Sequence, residues 1–301
     1  MPFRFLAHFL IVLAMGAAQA KSVALTFDDG LDPDKEPRAA DWNAAILGTL
    51  ERHDIRSMVF PSLRHTGGVA GRALVADWSK AGHLVGNHTS QHRNLGSPKL
   101  SAAEFIGHVK EAEAAFAPLP GWRPLLRFPY LKEGETAAKR DEVRAWMKAN
   151  GYRPAPVSID ASDWYYDEVF RKHAAADRGR LKAAYVRHLL DRADYYDGLA
   201  REVLGRSPPH VLLLHTSALN AAFLEDIIRA FREAGWTLVP PQEAFADPLY
   251  GREPAILPAG EGIVWAVAKE KGVAGLRYPA EDSRYEKPIL EAAGLLPAGS
   301  P

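Results

Sequence analysis

The sequence has no cysteine and no excess of charge of either sign. Because none of the 301 residues is Cys, neither a disulfide bond nor a lipid-modified N-terminal cysteine is available. Lys plus Arg and Asp plus Glu each number 37, so the formal net charge is zero. This balance gives no electrostatic basis for binding nucleic acid or an anionic membrane surface. Internal repeats, coiled-coil heptads and a glycine-rich phosphate loop are absent as well.

One apolar run stands out, at the N-terminus. Residues 9–15 are all apolar, Arg4 precedes them, and Ala18-Gln19-Ala20 matches a cleavage signal. The run is shorter than the ~20 residues that a membrane span requires. We therefore predict a secretory signal peptide over residues 1–20, with an uncleaved anchor as the alternative. Export to the periplasm or out of the cell is expected, with no stable membrane span after cleavage.

Short apolar runs alternate with helical patterns between Val23 and Val239. This alternation predicts a parallel sheet surrounded by helices. The predicted strands are 23–25, 57–60, 83–87, 125–130, 152–159, 211–215 and 236–239. The predicted helices between them are 39–53, 71–81, 101–116, 141–150 and 224–234, with two more, 165–175 and 179–204, in a charged and Tyr-rich stretch.

The residues after the last predicted strand are rich in Pro and Gly. Only 262–269 and 287–293 have a short helical pattern there. We expect residues 241–301 to form an extension wrapped on the barrel, and the sequence assigns no chemistry to it.

Two adjacent acids, Asp28 and Asp29, stand at the end of the first predicted strand, followed by Gly30. Neighbouring side chains of a strand point to opposite faces, so both carboxylates can serve one site only if the chain turns there, as glycine permits. One acid could then bind a cation while the other transfers a proton. The alternative is an Asp-Asp-Gly turn that merely ends the strand.

Two histidines, His88 and His92, follow the third predicted strand at a spacing of four. If the segment is a helical turn, both imidazoles lie on one face and can bind one ion. The alternative is two unrelated histidines on a loop. Because strand ends on the same barrel face converge, their position after a strand favours a site shared with the acid pair.

Ionisable residues end three further predicted strands: Arg127, the segment 160–164 with its two acids, and His215. An inward Arg cannot lose its proton and needs an acid partner, for which the Asp pair is the candidate. A snorkelling Arg and a satisfied core His are the alternatives. The paired tyrosines at 165–166 and 195–196 are expected to be packing residues rather than a sugar-stacking platform.

Together these strand ends resemble the polysaccharide deacetylase family, the NodB-homology carbohydrate esterases of family four. Five motifs appear in the family's order: Thr-Phe-Asp-Asp-Gly at 26–30, His-Thr-x-x-His at 88–92, Arg-Phe-Pro-Tyr at 127–130, Asp-x-x-Asp-Trp at 160–164 and Leu-Leu-His at 213–215. The resemblance implies an α/β fold, an irregular TIM-like (β/α) barrel of about seven parallel strands. The catalytic domain is expected over 21–240, with a helical insertion at 165–209.

The resemblance also implies a role for each motif residue. It implies a divalent metal, usually zinc with cobalt or nickel as alternatives, held by Asp29, His88 and His92. Asp28 is the implied general base, oriented by Arg127, and His215 is the implied general acid, partnered by Asp163. The implied substrate contacts are Trp164 and Leu213 in the acetyl pocket and the backbone N–H of Tyr130 on the oxyanion.

The expected function is therefore metal-dependent removal of N-acetyl groups from N-acetylhexosamine units of an envelope or extracellular polysaccharide, such as peptidoglycan, a chitin oligomer or an exopolysaccharide. Hydrolysis of O-acetyl esters, as on xylan, is the alternative. Hydrolysis of a small ureide or cyclic amide fits an exported protein less well. A non-catalytic glycan-binding protein is disfavoured because all the proton-transfer and ligand residues are present. The remaining histidines are expected to be structural or at the surface: His8, His53, His65, His83, His108, His173, His188 and His210.

Overall fold

The computed structural model describes residues 21–172, 177–277, 283–297 and 299. The predicted signal peptide over residues 1–20 lies outside the described residues. Within the described ranges, no helix combines the length and the apolar character that a membrane span needs.

The core of the described structure is a curled sheet of parallel strands. The strands are β1 Ser22–Asp29, β2 Met58–Pro61, β3 Leu84–Asn87, β4 Trp122–Leu126, β5 Lys132–Gly134, β6 Arg153–Pro154, β7 Pro209–His215, β8 Thr237–Leu238 and β9 Ala259–Gly260. The order in the sheet is β6-β4-β3-β2-β1-β7, with β8 also pairing with β1. The remaining strands, β5 and β9, pair with each other in antiparallel fashion beside the sheet.

The two edges of the curled sheet are joined by the chain that follows β6. Ala155 N–H donates to the carbonyl of Leu126 at 2.8 Å, on the β4 side. Farther along, Ile159 N–H donates to the carbonyl of Val211 at 3.0 Å, and Leu213 N–H donates to that of Ile159 at 3.1 Å. One segment therefore bridges β4 and β7, and the predicted irregular (β/α) barrel is confirmed.

Helices cover the outside of the sheet, and most of the chain after β8 is also helical or irregular. They are α1 Ala39–Arg52, α2 Leu63–Thr66, α3 Val69–Lys80, α4 Ala102–Phe116, α5 Ala137–Ala149, α6 Asp163–Lys172, α7 Arg178–Leu204, α8 Ala218–Glu233, α9 Pro241–Phe245, α10 Ile263–Glu270 and α11 Ser283–Ala292. Short 3₁₀ turns occupy Pro129–Leu131 and Pro248–Gly251. The start of α4 is set by a capping box between Ser101 and Glu104, as the sequence predicts.

Two element boundaries differ from the prediction in ways that matter for the site. The strand predicted to run to Tyr130 ends at Leu126, because Pro129 begins a 3₁₀ turn in which Tyr130 has a φ of 57°. The helix predicted from Leu224 begins at Ala218, where the Ser217 side chain accepts a hydrogen bond from an N–H of the first turn.

Residues after β8 lie along the barrel and the long helix α7. In α10, Val264, Val267 and Ala268 are fully buried, and the helix packs against α7. Ahead of that helix, β9 pairs with β5, the strand that directly follows the turn at Tyr130. The sequence did not predict this small antiparallel pair.

Candidate active site

The carboxyl ends of the parallel strands open into one cleft of about 810 Å³. Asp28 on β1 stands opposite His215 on β7 in the register of the sheet. The cleft is lined by eight of the predicted site residues: Asp28, Asp29, His88, His92, Tyr130, Trp164, Leu213 and His215. The other two, Arg127 and Asp163, are buried directly behind them and contact Asp28 and His215. All ten predicted residues therefore lie together.

The two acids reach one site because the backbone turns at the end of β1. The predicted turn at Gly30 begins one residue earlier, since Asp29 itself has a φ of 84° and Gly30 follows at 92°. Thr216 holds this turn: its hydroxyl accepts from Gly30 N–H at 2.9 Å, and its own N–H donates to the carbonyl of Asp28 at 3.1 Å. The left-handed conformation at Asp29 re-aims its carboxylate to the same side as Asp28.

Asp29, His88 and His92 bring one potential ligand atom each within 4.8 Å of the others. Asp29 Oδ1 lies 3.4 Å from His92 Nε2 and 3.8 Å from His88 Nε2. His88 Nδ1 lies 2.7 Å from the carbonyl oxygen of Arg127. A carbonyl only accepts, so Nδ1 must carry the proton and Nε2 keeps its lone pair toward Asp29.

The premise behind the predicted histidine pair is wrong, although the pair itself comes together. The segment after β3 is a loop, not a helical turn, and Thr89 and His92 have positive φ values of 65° and 48°. The Thr89 hydroxyl accepts a hydrogen bond from His92 N–H at 3.1 Å, which fixes the bend of the loop. Loop geometry, rather than helical spacing, places both imidazoles beside Asp29.

A third histidine, which the sequence analysis assigned to structure or surface, reaches the same carboxylate. His65 Nδ1 lies 2.9 Å from Asp29 Oδ1, and its ring centroid lies 4.7 Å from that of His92. Despite the short separation, the angles at this contact do not fit a hydrogen bond, and both atoms are buried without another partner in the described residues. His65 sits just past the end of β2, and that position at a strand end was the signal available in the sequence.

The group fits a divalent cation. Asp29 Oδ1 is a buried acceptor that faces imidazole nitrogens and has no hydrogen bond, which a bound cation would satisfy. Burial lowers the pKa of His92 to about 4 and that of His88 well below its usual value, so both rings are neutral, as metal ligands must be. Burial would raise the pKa of Asp29, but the neighbouring imidazoles, with His65 foremost, hold it below its usual range. One carboxylate and two imidazoles are a donor set that zinc accepts.

Asp28 is paired with a buried arginine. Arg127 Nη1 lies 3.0 and 3.2 Å from the two oxygens of the Asp28 carboxylate. The guanidinium also donates to the carbonyl of Ala155 and the hydroxyl of Thr26, and it stacks 4.4 Å over the ring of Phe60. Burial raises the pKa of Asp28 to about 6 against the opposing charge of Arg127. Asp28 is thus a carboxylate that exchanges protons close to neutral pH.

His215, on the strand next to that of Asp28, is paired with a buried acid. Its Nδ1 lies 2.6 Å from Asp163 Oδ1, and its backbone N–H donates to Asp163 Oδ2 at 2.7 Å. Burial alone would lower the pKa of His215, but the Asp163 carboxylate outweighs burial and raises it to about 10. The ring is therefore protonated at neutral pH. With Nδ1 on Asp163, Nε2 is the nitrogen left to donate a proton in the cleft.

The Asp28–Arg127 pair, the His215–Asp163 pair and the group of Asp29, His88 and His92 thus meet at one edge of the barrel, and all five sequence motifs contribute to them. The family model for polysaccharide deacetylase matches residues 16–155, which include three of the five motifs. Over these residues, just under half of the chain, the sequence matches the polysaccharide deacetylase family. The two remaining motifs, at 160–164 and 213–215, lie beyond the matched residues but supply Asp163 and His215 to the same cleft.

Two curated proteins have sequences related to that of this chain. A peptidoglycan-N-acetylglucosamine deacetylase of Bacillus cereus is 29% identical over 150 residues, covering 50% of this chain and 48% of the relative. A chitin deacetylase of Colletotrichum lindemuthianum is 27% identical over 164 residues, covering 52% and 58%. The chain spans about half the length of these curated relatives. The solved structure of the Colletotrichum enzyme superposes with a TM-score of 0.51 at 19% identity over 77% of this chain and 91% of that one, a likeness of fold.

Two residues from the helices around the barrel support the His215–Asp163 pair, and the sequence predicted neither. Asn220 on α8 donates to Asp163 Oδ2 at 2.7 Å and to the carbonyl of His215 at 2.8 Å. Tyr185 on α7 in turn donates to Asn220 Oδ1 at 2.8 Å. Neither residue lies in a motif or at a strand end, so a single sequence carries no signal for them.

Three further residues line the cleft, two of them exposed to solvent and one buried in its wall. Trp164 and Tyr130 are 43% and 56% exposed, whereas Leu213 is buried. The ring of Tyr130 lies 4.8 Å from that of His92, and Trp164 packs edge-on against Tyr165 at 5.6 Å. The cleft therefore combines a buried polar floor with exposed aromatic rings at its mouth.

Proposed function

We propose that this chain hydrolyses N-acetyl groups of N-acetylhexosamine units in an envelope or extracellular polysaccharide, releasing acetate and leaving a free amino sugar. The observation that carries the proposal is the presence of two charge pairs side by side in one cleft. Asp28 with Arg127 and His215 with Asp163 meet where the neighbouring strands β1 and β7 end, and Asp29, His88 and His92 are beside them.

Asp29, His88 and His92 would hold a divalent metal, zinc foremost, with cobalt or nickel as alternatives. When bound, such a cation supplies polarisation of the acetyl carbonyl and a lowered pKa for water. His65, at 2.9 Å from Asp29 Oδ1, would help to orient the carboxylate ligand.

Asp28 is the proposed general base. Its pKa of about 6 makes it ionised at neutral pH yet basic enough to accept a proton from an attacking water. Arg127 fixes the carboxylate in place through Nη1, and the other guanidinium donors are engaged by Ala155 and Thr26. That arrangement leaves Asp28 with a single orientation toward the cleft.

His215 is the proposed general acid. Amide hydrolysis needs a proton on the leaving nitrogen, and an imidazole whose pKa is raised to about 10 starts the reaction protonated. The backbone N–H of Tyr130 is the proposed donor to the oxyanion, and Trp164 and Leu213 are the proposed walls of the acetyl pocket.

The open cleft and its exposed rings support a polymeric or oligomeric sugar as the substrate. Aromatic faces at a binding site stack on the apolar faces of pyranose rings, and both Trp164 and Tyr130 present such faces. The names of two relatives point to peptidoglycan N-acetylglucosamine and chitin as substrates of those proteins. For this chain we propose an acetylated glycan of the same chemical class.

We also propose export, with residues 1–20 as a signal peptide, and a catalytic domain over 21–240 carrying the helical insertion 165–209. The insertion supports the proposed site, since Tyr185 on α7 donates to Asn220, which in turn donates to Asp163. N-terminal sequencing of the protein recovered from a secreting host tests the cleavage, which we expect before Lys21.

An acetate-release panel tests the proposed reaction. Purified protein loaded with zinc or cobalt is assayed on N-acetylglucosamine oligomers, peptidoglycan and O-acetylated xylan. Release from the N-acetylated glycans supports the proposal. Release from O-acetylated xylan alone identifies the protein as an ester hydrolase, and tight glycan binding without release under any metal identifies a non-catalytic binding protein.

A further inference from the structure

The loop that carries the proposed oxyanion donor has an unusual backbone. Tyr130 and Leu131 are consecutive non-glycine residues with φ values of 57° and 56°. Left-handed residues of this kind persist only where the surrounding structure holds them. The loop lies between β4 and β5.

The backbone of the C-terminal extension contacts the loop directly. Glu261 N–H donates to the carbonyl of Leu131 at 2.7 Å, and Lys132 on β5 stands opposite Gly260 on β9. Gly260 has a φ of 112°, and a Cβ at this position would collide with the Leu131 carbonyl oxygen. The close approach of the two segments thus depends on glycine at that point.

A buried ion pair reinforces the same contact. Lys132 Nζ pairs with Glu261 Oε1, and their side chains are only 20% and 8% exposed. Lys132 also lines the cleft, so the pair lies between the extension and the proposed site. A low-exposure pair of this kind is screened by solvent far less than a surface pair.

Helix α5 connects β5 to the extension by hydrogen bonds to both. Arg144 Nη2 lies 2.7 Å from Glu133 Oε2, and Arg144 Nη1 donates to the carbonyl of Pro254 at 3.3 Å. Arg140 Nη1 donates to the carbonyl of Ala255 at 3.1 Å. The loop is consequently enclosed by α5 on one side and by residues 254–261 on the other.

We propose that residues 254–261 are a positioning element for the catalytic site, with Glu261 as the positioning residue. They hold the loop in the strained backbone conformation that aims the Tyr130 N–H at the oxyanion. This inference rests on the proposed deacetylase function, because Tyr130 has its role only there. It assigns a task to an extension that lies outside the residues matched by the family model.

A loosened loop is expected to change kcat but not KM. A donor to the oxyanion acts in the transition state and not on the bound ground state, so a loosened loop lowers kcat and kcat/KM equally and leaves KM unchanged. Loss of one complete oxyanion donor typically costs ~10²–10³ in kcat, and a misplaced donor costs less, on the order of tenfold.

The test combines two measurements on Glu261→Ala and Glu261→Gln in the full chain. Hydrogen exchange of the amides of residues 130–134, measured without substrate, reports the order of the loop. Steady-state acetate release reports kcat and KM. We expect Glu261→Ala to speed exchange and to lower kcat about tenfold at constant KM. Glu261→Gln keeps an acceptor for Lys132 and is expected to recover most of both properties.

The matched control is Asp247→Ala, which breaks another ion pair between the extension and the barrel. Asp247 pairs with Arg206 at 2.6 Å, at the end of β7 remote from His215. It should change neither loop exchange nor kcat. Lys132→Gln breaks the same ion pair from the barrel side. If Glu261→Ala does not fold, the Lys132→Gln variant is used in its place in both measurements.

Two results would overturn the inference: unchanged exchange at residues 130–134 in the folded Glu261 variant, or faster exchange with an unchanged kcat. Failure of the proposed function is distinguishable, because it leaves the wild-type protein without acetate release while the exchange result still reports whether the extension orders the loop.

Discussion

Asp163 holds His215 by two contacts at once: Oδ1 lies 2.6 Å from the ring Nδ1, and Oδ2 accepts the backbone N–H at 2.7 Å. Asn220 adds a third donor to the same carboxylate. The carboxylate therefore fixes the orientation of the imidazole and, against the effect of burial, raises its pKa to about 10.

Replacing Asp163 by Asn should move the alkaline limb of the pH–rate profile to lower pH. A general acid works while protonated, so wild-type activity should persist as the pH rises and fall only near the pKa of His215. Without this carboxylate, only the weaker effects of Asp29 and Asp28 oppose burial and the pKa of His215 drops, so activity is lost earlier, by at least about one pH unit, with a lower kcat. Acetate release measured from neutral to alkaline pH checks this.

The chain offers a matched control at the other end of the same strand. His210 Nε2 lies 3.3 Å from Asp197 Oδ1, away from the cleft. Asp197→Asn should leave the profile where it is. An Asp163→Asn enzyme that keeps the wild-type alkaline limb would remove His215 from the role of general acid.

Replacing Arg127 by Met should act on the acidic limb and on stability. Arg127 opposes the burial that raises the pKa of Asp28 to about 6, so its loss raises that pKa further and moves the acidic limb to higher pH. Removing one partner of a buried pair also costs ~3–5 kcal/mol of unfolding free energy, most strongly at pH values where Asp28 is ionised. The pH–rate profile and urea unfolding at two pH values measure both effects.

Arg123 is the control for that variant, because it lies on the same strand β4 but is exposed and donates to the backbone carbonyls of Pro120 and Trp122. Arg123→Met should change neither the acidic limb nor the unfolding free energy by more than ~0.5 kcal/mol. An unmoved acidic limb in Arg127→Met would show that Asp28 is not the base whose ionisation it reports.

Replacing His65 by Ala should weaken zinc binding without abolishing it. Residues that orient a ligand carboxylate typically contribute ~10–100-fold to metal affinity, whereas loss of a direct ligand such as His92 should cost more. Competition with a zinc-binding dye gives the dissociation constants with no assay of activity. His53→Ala, which changes an imidazole paired with Glu225 outside the cleft, should bind zinc as the wild type does. Equal affinity in the His65 and His53 variants would rule out a role for His65.

Much of the barrel could be predicted from local patterns. The apolar run of β7, the capping box at Ser101 and the helical period of α1 each depend on residues close together in sequence. The pairing of β5 with β9 could not, because it joins Lys132 to Gly260, which are far apart in the sequence, and involves only a few residues. Such pairs are set by tertiary contact and not by propensity.

The site divides in the same way. Its predicted residues come together because polar side chains at the ends of parallel strands converge on one edge. The sequence predicts a turn at Gly30, but not the positive φ values of Asp29 and His92 that aim their side chains. Tyr185 donates to Asn220, which donates to Asp163, and the two residues lie on separate helices. Their spacing in the sequence does not indicate that they contact one another or the site.

The most direct measurement of the central claim is acetate release from N-acetylglucosamine oligomers by the zinc-loaded wild type and by the Asp28→Asn variant, with zinc content determined for both. The account predicts one zinc per chain in each protein and release that falls by ~10²–10⁴ in the variant, the usual contribution of a general base. Equal release by the two proteins, or no release by a wild type that holds its zinc, would contradict it.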